Sequence, residues 1–346
     1  MIDLNNPKTF SHLDPKNVYE STEMFVDQLE QIKDEYYSVE FYSPEYKKIK
    51  NIVICGMGGS AYGAHIALSL FTNELKVPLV LNSDYHLPGF VDENTLVMLT
   101  SYSGTTEEVL SCAEEAKIKN AKMTGFSTGG KLGEILKEKY PGFTFNPKFN
   151  PSGQPRLGTG YMVLATLILL NRLGVISISL EELNYAIEEV KSNQEEIKQA
   201  AQDLSKKLMN SIPLVFASEH LIGNAHIIRN QFNETSKSFA YYEDIPELNH
   251  HLMEGLKNPE NKNLSVLFVN SDLYSEKIKK RIELTKDVIS KNGIPYFEYK
   301  AIGDTKLSQT LNVLSFGGYL TLYLAVLYGQ DPSLIPWVDY FKEKLK

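Results

Sequence analysis

Cysteine is scarce in this chain of 346 residues: Cys55 and Cys112 are the only two. They are too few and too separated for a disulfide framework or a thiolate metal site, and both sit in apolar segments expected to be buried. A reducing compartment suits them. Positive charge is in deficit too, with 35 Lys and Arg against 43 Asp and Glu and a formal net charge of −8. That balance argues against nucleic acid or an anionic membrane as a general partner, while leaving room for a local pocket that attracts one anion. The opening stretch MIDLNNPKTF lacks the basic-then-apolar order of a secretory signal, and no apolar run approaches the ~18 residues of a bilayer span. The expectation is a cytoplasmic protein without a membrane partner. Metal-ligand spacing is missing as well: there is no H-E-x-x-H and no Cys/His cluster, so no metal is expected.

What is present is ordinary in amount and regular in order. Hydrophobic residues make up 42% and charged residues 23% of the chain, the usual balance of a globular protein, and the length suffices for two α/β lobes with their own cores. Apolar runs of strand length, at 51–55, 78–82, 95–100 and 122–127, alternate with helical patterns near 59–73, 105–119 and 130–139. That alternation is the signature of a parallel sheet wound with crossover helices. A long apolar helix over 155–174 opens on Pro155 and stops at Gly174. A Glu- and Lys-rich segment at 179–207 reads as a solvated connecting helix. The rhythm then resumes, with strands at 212–218, 239–243, 264–270 and 294–300, helices near 221–237, 274–291 and 305–328, and a last helix over 334–345. The expected architecture is α/β, with two doubly wound parallel-sheet lobes. The N-terminal lobe covers 1–176, the connecting helix 177–208, the C-terminal lobe 209–330 and the terminal helix 331–346.

In such sheets ligands bind beyond the carboxyl ends of the strands, and two turns there carry unusual chemistry. The first, 56-GMGGSA-61, has three glycines that let the backbone approach a ligand, with Ser60 at the start of a helix. It also fits a dinucleotide fingerprint, Gly56-x-Gly58-x-x-Ala61, but Asp84 comes too late to serve as the ribose acid. The second, 101-SYSGTT-106, sets four small hydroxyls at the end of a buried strand without lysine or arginine. Hydroxyls and backbone N–H groups converging at a helix start would cradle a phosphate; the bland alternative is a capping box of Ser103 or Thr105 with Glu108. The P-loop pattern, with its lysine, is absent.

GMGGS followed by S-x-S-G-x-T resembles the sugar isomerase (SIS) fold, whose members bind phosphosugars at these two turns. The resemblance implies that Gly59, Ser60, Ser101, Ser103 and Thr106 contact the substrate phosphate. Position 105, often Asn in relatives, is Thr here.

An isomerase also needs groups that move protons. Glu234 in 230-NQFNETSK-237 is a candidate carboxylate, with a surface pairing to Lys237 as its bland reading. His250 in 246-PELNHHLMEG-255 is a candidate acid/base, with a plain loop histidine as the alternative. N-E-x-S-K followed by P-E-L-N-H is similar to the bifunctional phosphoglucose/phosphomannose isomerase family. That likeness covers nearly the whole chain and implies roles: Glu234 as the C1/C2 base, His250 as the ring-opening group, Arg156 in 153-GQPR-156 as the enediolate stabiliser, and Lys342 of the terminal helix assisting ring opening. It further implies a homodimer in which the histidine reaches the neighbouring subunit's site, with no cofactor. One departure stands out, since relatives commonly read N-H-N-E where this chain has Asn249-His250-His251-Leu252.

The expected function is an aldose-ketose isomerase of a phosphorylated hexose, glucose 6-phosphate with fructose 6-phosphate and mannose 6-phosphate as a further candidate, through a cis-enediol without metal. Two rivals stand beside it: another SIS isomerase of amino-sugar or pentose phosphates, and a non-catalytic sugar-phosphate sensor.

Overall fold

The computed structural model describes residues 2–39, 46 and 48–345. Two short helices open the chain, α1 (Val18–Glu23) and α2 (Phe25–Tyr36), in a polar stretch where the sequence reading placed none. The chain divides into two compact units. One comprises Met24–Asn150 and Gln154–Glu188; the other gathers the stretch through Glu23, Pro151–Gly153 and everything from Glu189 onward.

The first unit runs β1 (Asn51–Cys55), α3 (Tyr62–Leu70), β2 (Leu79–Asn82), β3 (Thr95–Thr100), α4 (Glu107–Ile118), β4 (Lys122–Ser127), α5 (Gly130–Lys139), β5 (Gly142–Thr144) and α6 (Thr159–Arg172). Its five strands lie in the order β2-β1-β3-β4-β5, every pair parallel. The chain winds outward in opposite directions from β1 and β3, so the crevice of this sheet opens at the carboxyl ends of those two strands. All six residues of β3 are buried, which is why 95–100 is a continuous apolar run rather than an alternating one. A three-residue strand, β5, was not expected; with residues 142-GFT-144 it is too short to leave a periodic signal.

Cys55 at the end of β1 and Cys112 on α4 face the same core, packed among Val53, Val97, Leu99 and Val109. The Asn82 side-chain amide reaches both thiols, at 3.3 Å from Cys112 Sγ and 4.0 Å from Cys55 Sγ, and Cys112 Sγ donates to the Asp84 carbonyl. The hydrogen bond to Cys112, followed by burial, pushes the Cys55 thiol up. Both cysteines are free and buried.

The segment expected as one solvated connecting helix is two helices, α7 (Leu180–Ser192) and α8 (Gln194–Leu208). The break is at Asn193, whose amide turns back to donate to the Glu189 carbonyl at 2.7 Å, the local competition with the helix ladder typical of asparagine. Neither helix is merely solvated. Ile197, Ala201, Leu204 and Leu208 form a buried stripe on α8, and that helix packs on the long helix Lys306–Leu327 with its charges on the opposite face.

The second unit continues with β6 (Ile212–Ser218), α9 (Ile222–Glu234), β7 (Tyr241–Ile245), α10 (Leu252–Gly255), β8 (Leu264–Asn270), α11 (Glu276–Lys291), β9 (Tyr296–Lys300), α12 (Lys306–Leu327) and α13 (Pro336–Leu345). Its sheet is parallel, in the order β7-β6-β8-β9. The sequence reading placed β7 two residues early, at 239–243. Helix α12 opens with a capping box between Thr305 and Ser308. By length and composition it meets the test for a bilayer span, yet nearly all of it is buried inside the unit, and Ser308, Gln309, Thr310 and Asn312 interrupt its apolar surface.

Candidate active site

The turn after β1 is built to bring backbone close to its surroundings. Gly58 has φ +50°, in the region that favours glycine. A β-carbon on Gly56 would lie 2.4 Å from Thr100 Oγ1, because that hydroxyl bridges the turn, donating toward the Cys55 and Ser60 carbonyls at 3.1 and 2.9 Å. A β-carbon on Gly59 would lie 3.2 Å from the Arg156 Cα. Gly59 therefore brings the buried Arg156 beside the turn.

The turn after β3 is locked from within. Ser101 Oγ lies 2.7 Å from Thr106 Oγ1 and accepts from the Gly104 N–H at 3.0 Å; Ser103 Oγ lies 2.9 Å from Thr105 Oγ1. Helix α4 starts at Glu107 with Thr106 as its N-cap residue, and no side chain caps its first turn by a hydrogen bond. The capping-box alternative thus fails. The first-turn N–H groups of this helix of about three turns follow the carboxyl end of β3 and have no side-chain acceptor from the N-cap, the arrangement that receives an anion. Ser101 is buried while Ser103 and Thr105 are exposed.

The two turns are tied together. The Tyr102 N–H donates to Ser60 Oγ at 3.0 Å, leaving the Ser60 proton to be donated elsewhere. Tyr102 O accepts from both the N–H and the hydroxyl of Thr128, and the Leu132 N–H donates to Gly104 O. A third turn, 128-TGG-130, therefore backs the second, and it was missed because its residues look like ordinary loop. Gly104 has φ +70° and a β-carbon there would sit 1.9 Å from Gly129 O. Gly104→Ala is expected to lower the melting temperature by about 4–8 °C, from strain plus a backbone clash of about 2 kcal/mol or more; a thermal melt checks it.

The remaining expected residues belong to the second unit. Glu234 is the last residue of α9 and is partly exposed; the neighbouring Lys237 Nζ donates to the Thr235 and Asp331 carbonyls at 2.9 and 2.6 Å. His250 closes a short 3₁₀ turn, Glu247–His250, after β7 and is exposed. His251, the departure from the relatives' pattern, has its Nε2 4.0 Å from the Glu247 carboxylate. Lys342 is exposed on α13. The turn after β6 in this unit repeats the first unit's geometry with different chemistry: Glu219 has φ +45°, and its carboxylate accepts from the Ser275 N–H at 3.1 and 3.3 Å. A carboxylate of the chain itself thus lies at the start of α11. Among the described residues no three or more His, Cys, Asp or Glu are grouped as metal ligands.

Comparison with known proteins agrees with this layout. Residues 2–128 match the family model for phosphoglucose isomerase, and residues 197–345 match that for the bacterial phospho-glucose isomerase C-terminal SIS domain. The bifunctional phosphoglucose/phosphomannose isomerase of Caldicellulosiruptor bescii is 34% identical over 86% of this chain and 90% of its own length. That of Aquifex aeolicus is 33% identical over 96% of this chain and 99% of its own length. Among solved structures, the tagatose-6-phosphate ketose/aldose isomerase of Escherichia coli superposes with a TM-score of 0.70 at 15% identity, covering 92% of this chain and 95% of that one. At that identity the likeness shows the fold alone, an α/β fold of SIS type. Fold, turns and full-length relatives converge, and the chain belongs to the bifunctional phosphoglucose/phosphomannose isomerase family, an enzyme of the isomerase class.

Proposed function

We propose that the chain interconverts glucose 6-phosphate and fructose 6-phosphate, and mannose 6-phosphate with the same ketose, in the cytoplasm and without a metal. The observation that carries this reading is the pair of hydroxyl-bearing turns at the switch point of the first sheet, tied by the Tyr102–Ser60 hydrogen bond. Gly59, Ser60, Ser101, Ser103 and Thr106 hold the phosphate through hydroxyls and backbone N–H groups, a neutral cradle that binds a dianion and also releases it.

Chemistry follows from the substrate. The closed sugar must first open, which requires a proton at the ring oxygen and removal of one from the anomeric hydroxyl; His250 with Lys342 performs this step. In the open aldose the C2 proton is acidified by the adjacent carbonyl. Glu234 takes it, the electrons move to the carbonyl oxygen to give a cis-enediolate, the hydroxyl proton passes from O2 to O1, and the carbon-bound proton returns at C1 as the carbonyl re-forms at C2 to give the ketose. Arg156 stabilises the negative oxygen that develops between these steps. Glucose and mannose 6-phosphates differ only at C2 and share this enediolate, so one base serves both once rotation about C2–C3 presents either face.

The active form is a homodimer on this reading, with His250 contributed by the partner subunit. Support comes from α13, which exposes Trp337 (82%), Phe341 (62%) and Leu345 (59%) along one stripe, an apolar face of the kind that marks an interaction site.

A coupled assay with glucose, mannose and glucosamine 6-phosphates, run with and without a chelator, tests the proposal. Turnover of the first two, none of the third and no effect of the chelator are expected. Glucosamine 6-phosphate as the preferred substrate would transfer the site to an amino-sugar isomerase; binding without turnover of any of the three would make it a sensor; inhibition by the chelator would overturn the metal-free mechanism.

A further inference from the structure

We propose that Gln154 is a positioning residue for the Arg156 guanidinium, held by Asn150 and Tyr102 so that the cation keeps one setting relative to the two hydroxyl turns. The inference rests on the reading of Arg156 as the group that stabilises the enediolate.

Tyr102 and three residues of the 150–156 stretch form a relay inside the first unit. Arg156 Nη1 donates to Gln154 Oε1 at 3.1 Å. The Gln154 carbonyl accepts from Asn150 Nδ2 at 3.0 Å, and the same amide donates to the Tyr102 hydroxyl at 2.8 Å. Tyr102 in turn stands in the second phosphate turn and holds Ser60 of the first through its N–H. Its ring fills the space beside Gly158, where a β-carbon would lie 2.4 Å from Tyr102 Cε2. Tyr102, Asn150 and Arg156 are 7%, 5% and 6% exposed and Gln154 is partly exposed, so the relay is buried at both ends. Burial pushes the Tyr102 phenol up, with the Asn150 hydrogen bond acting the other way, and the hydroxyl stays protonated.

The chemistry of each member fits orientation rather than structure alone. A free arginine side chain is flexible, and a preorganised charge is worth more than one that must be gathered in the transition state. A carboxylate would fix the guanidinium more strongly but would cancel the charge needed at the enediolate. A neutral amide oxygen orients it without adding a charge of its own. Because the anchor leads back to Tyr102, the position of the cation is set from the same strand end that presents Ser101, Ser103 and Thr106.

The test is a double-mutant cycle in the full-length enzyme with fructose 6-phosphate. Gln154→Met is expected to lower kcat by about ten- to a hundredfold with KM within about twofold, as for a misplaced catalytic group with intact phosphate contacts. In an Arg156→Met background the same change is expected to alter kcat by less than about twofold, because nothing remains to be positioned. Losses that multiply in the double variant, or a Gln154→Met enzyme at wild-type kcat beside a crippled Arg156→Met, would overturn the relay and leave the role of Arg156 standing. Wild-type turnover by Arg156→Met would overturn both. Should Gln154→Met not fold, Tyr102→Phe removes one oxygen from the same relay; a drop in kcat of about threefold or more, lost in the Arg156→Met background, supports it, and an undiminished kcat overturns it.

Discussion

Glu234→Gln is expected to lower kcat for fructose 6-phosphate by about 10²–10⁴-fold while KM stays within about threefold, the pattern of a general base removed without loss of ground-state binding. The substitution keeps the size and polarity of the side chain and removes the group that accepts the proton. Glu234 is partly exposed at the end of α9, so stability should change by no more than about 0.5 kcal/mol. A circular dichroism melt therefore separates a lost base from a lost fold. A second readout follows the proton itself. In heavy water the wild-type enzyme should wash deuterium into C1 of the ketose as the enediolate exchanges, and the variant should do so at a rate reduced in parallel with kcat. A kcat within tenfold of wild type would remove Glu234 from the mechanism and leave the phosphate turns without an assigned base.

The parts of this molecule that were legible in its sequence are those whose cause is local. An apolar run ending in hydroxyls announces a buried strand meeting a helix start, and both β3 and the SYSGTT turn fell where that pattern places them. Glycines with a positive φ, Gly58 and Gly104, were visible as glycines between a strand and a helix. What stayed hidden depends on contacts between distant segments. Nothing around Tyr102 says that its hydroxyl meets Asn150, 48 positions on, or that Arg156 packs behind Gly59. The two cysteines looked isolated because they are 57 residues apart in sequence; only the pairing of β1 with its neighbours and the packing of α4 over them brings both thiols to Asn82. The charged segment at 179–207 misled for the opposite reason. Its charges outnumber its apolar residues, yet four aliphatic side chains at helical spacing sufficed to bury one face of α8 against α12. Composition spoke for the exposed face and concealed the other.

Mixing two inactive variants is expected to restore activity. If each site takes Glu234 from one subunit and His250 from its partner, a dimer of one Glu234→Gln chain and one His250→Asn chain has one site with both lesions and one with neither. Random pairing makes half of all dimers mixed and half of their sites intact, so the mixture should recover about a quarter of wild-type kcat from two preparations that each have almost none. Were His250 to act within its own subunit, every site in the mixed dimer would carry one lesion, and co-expression of differently tagged chains would yield an inactive heterodimer. His250 is exposed on a turn that follows β7, the edge strand of its sheet. The exposed aromatic stripe of α13 supplies apolar surface that pairing would bury, at roughly 25 cal/mol per Å² removed from water, and Lys342 rides on that helix. Purified heterodimer at about half of wild-type kcat, with both parent homodimers inactive, is the result that assigns the histidine across the interface.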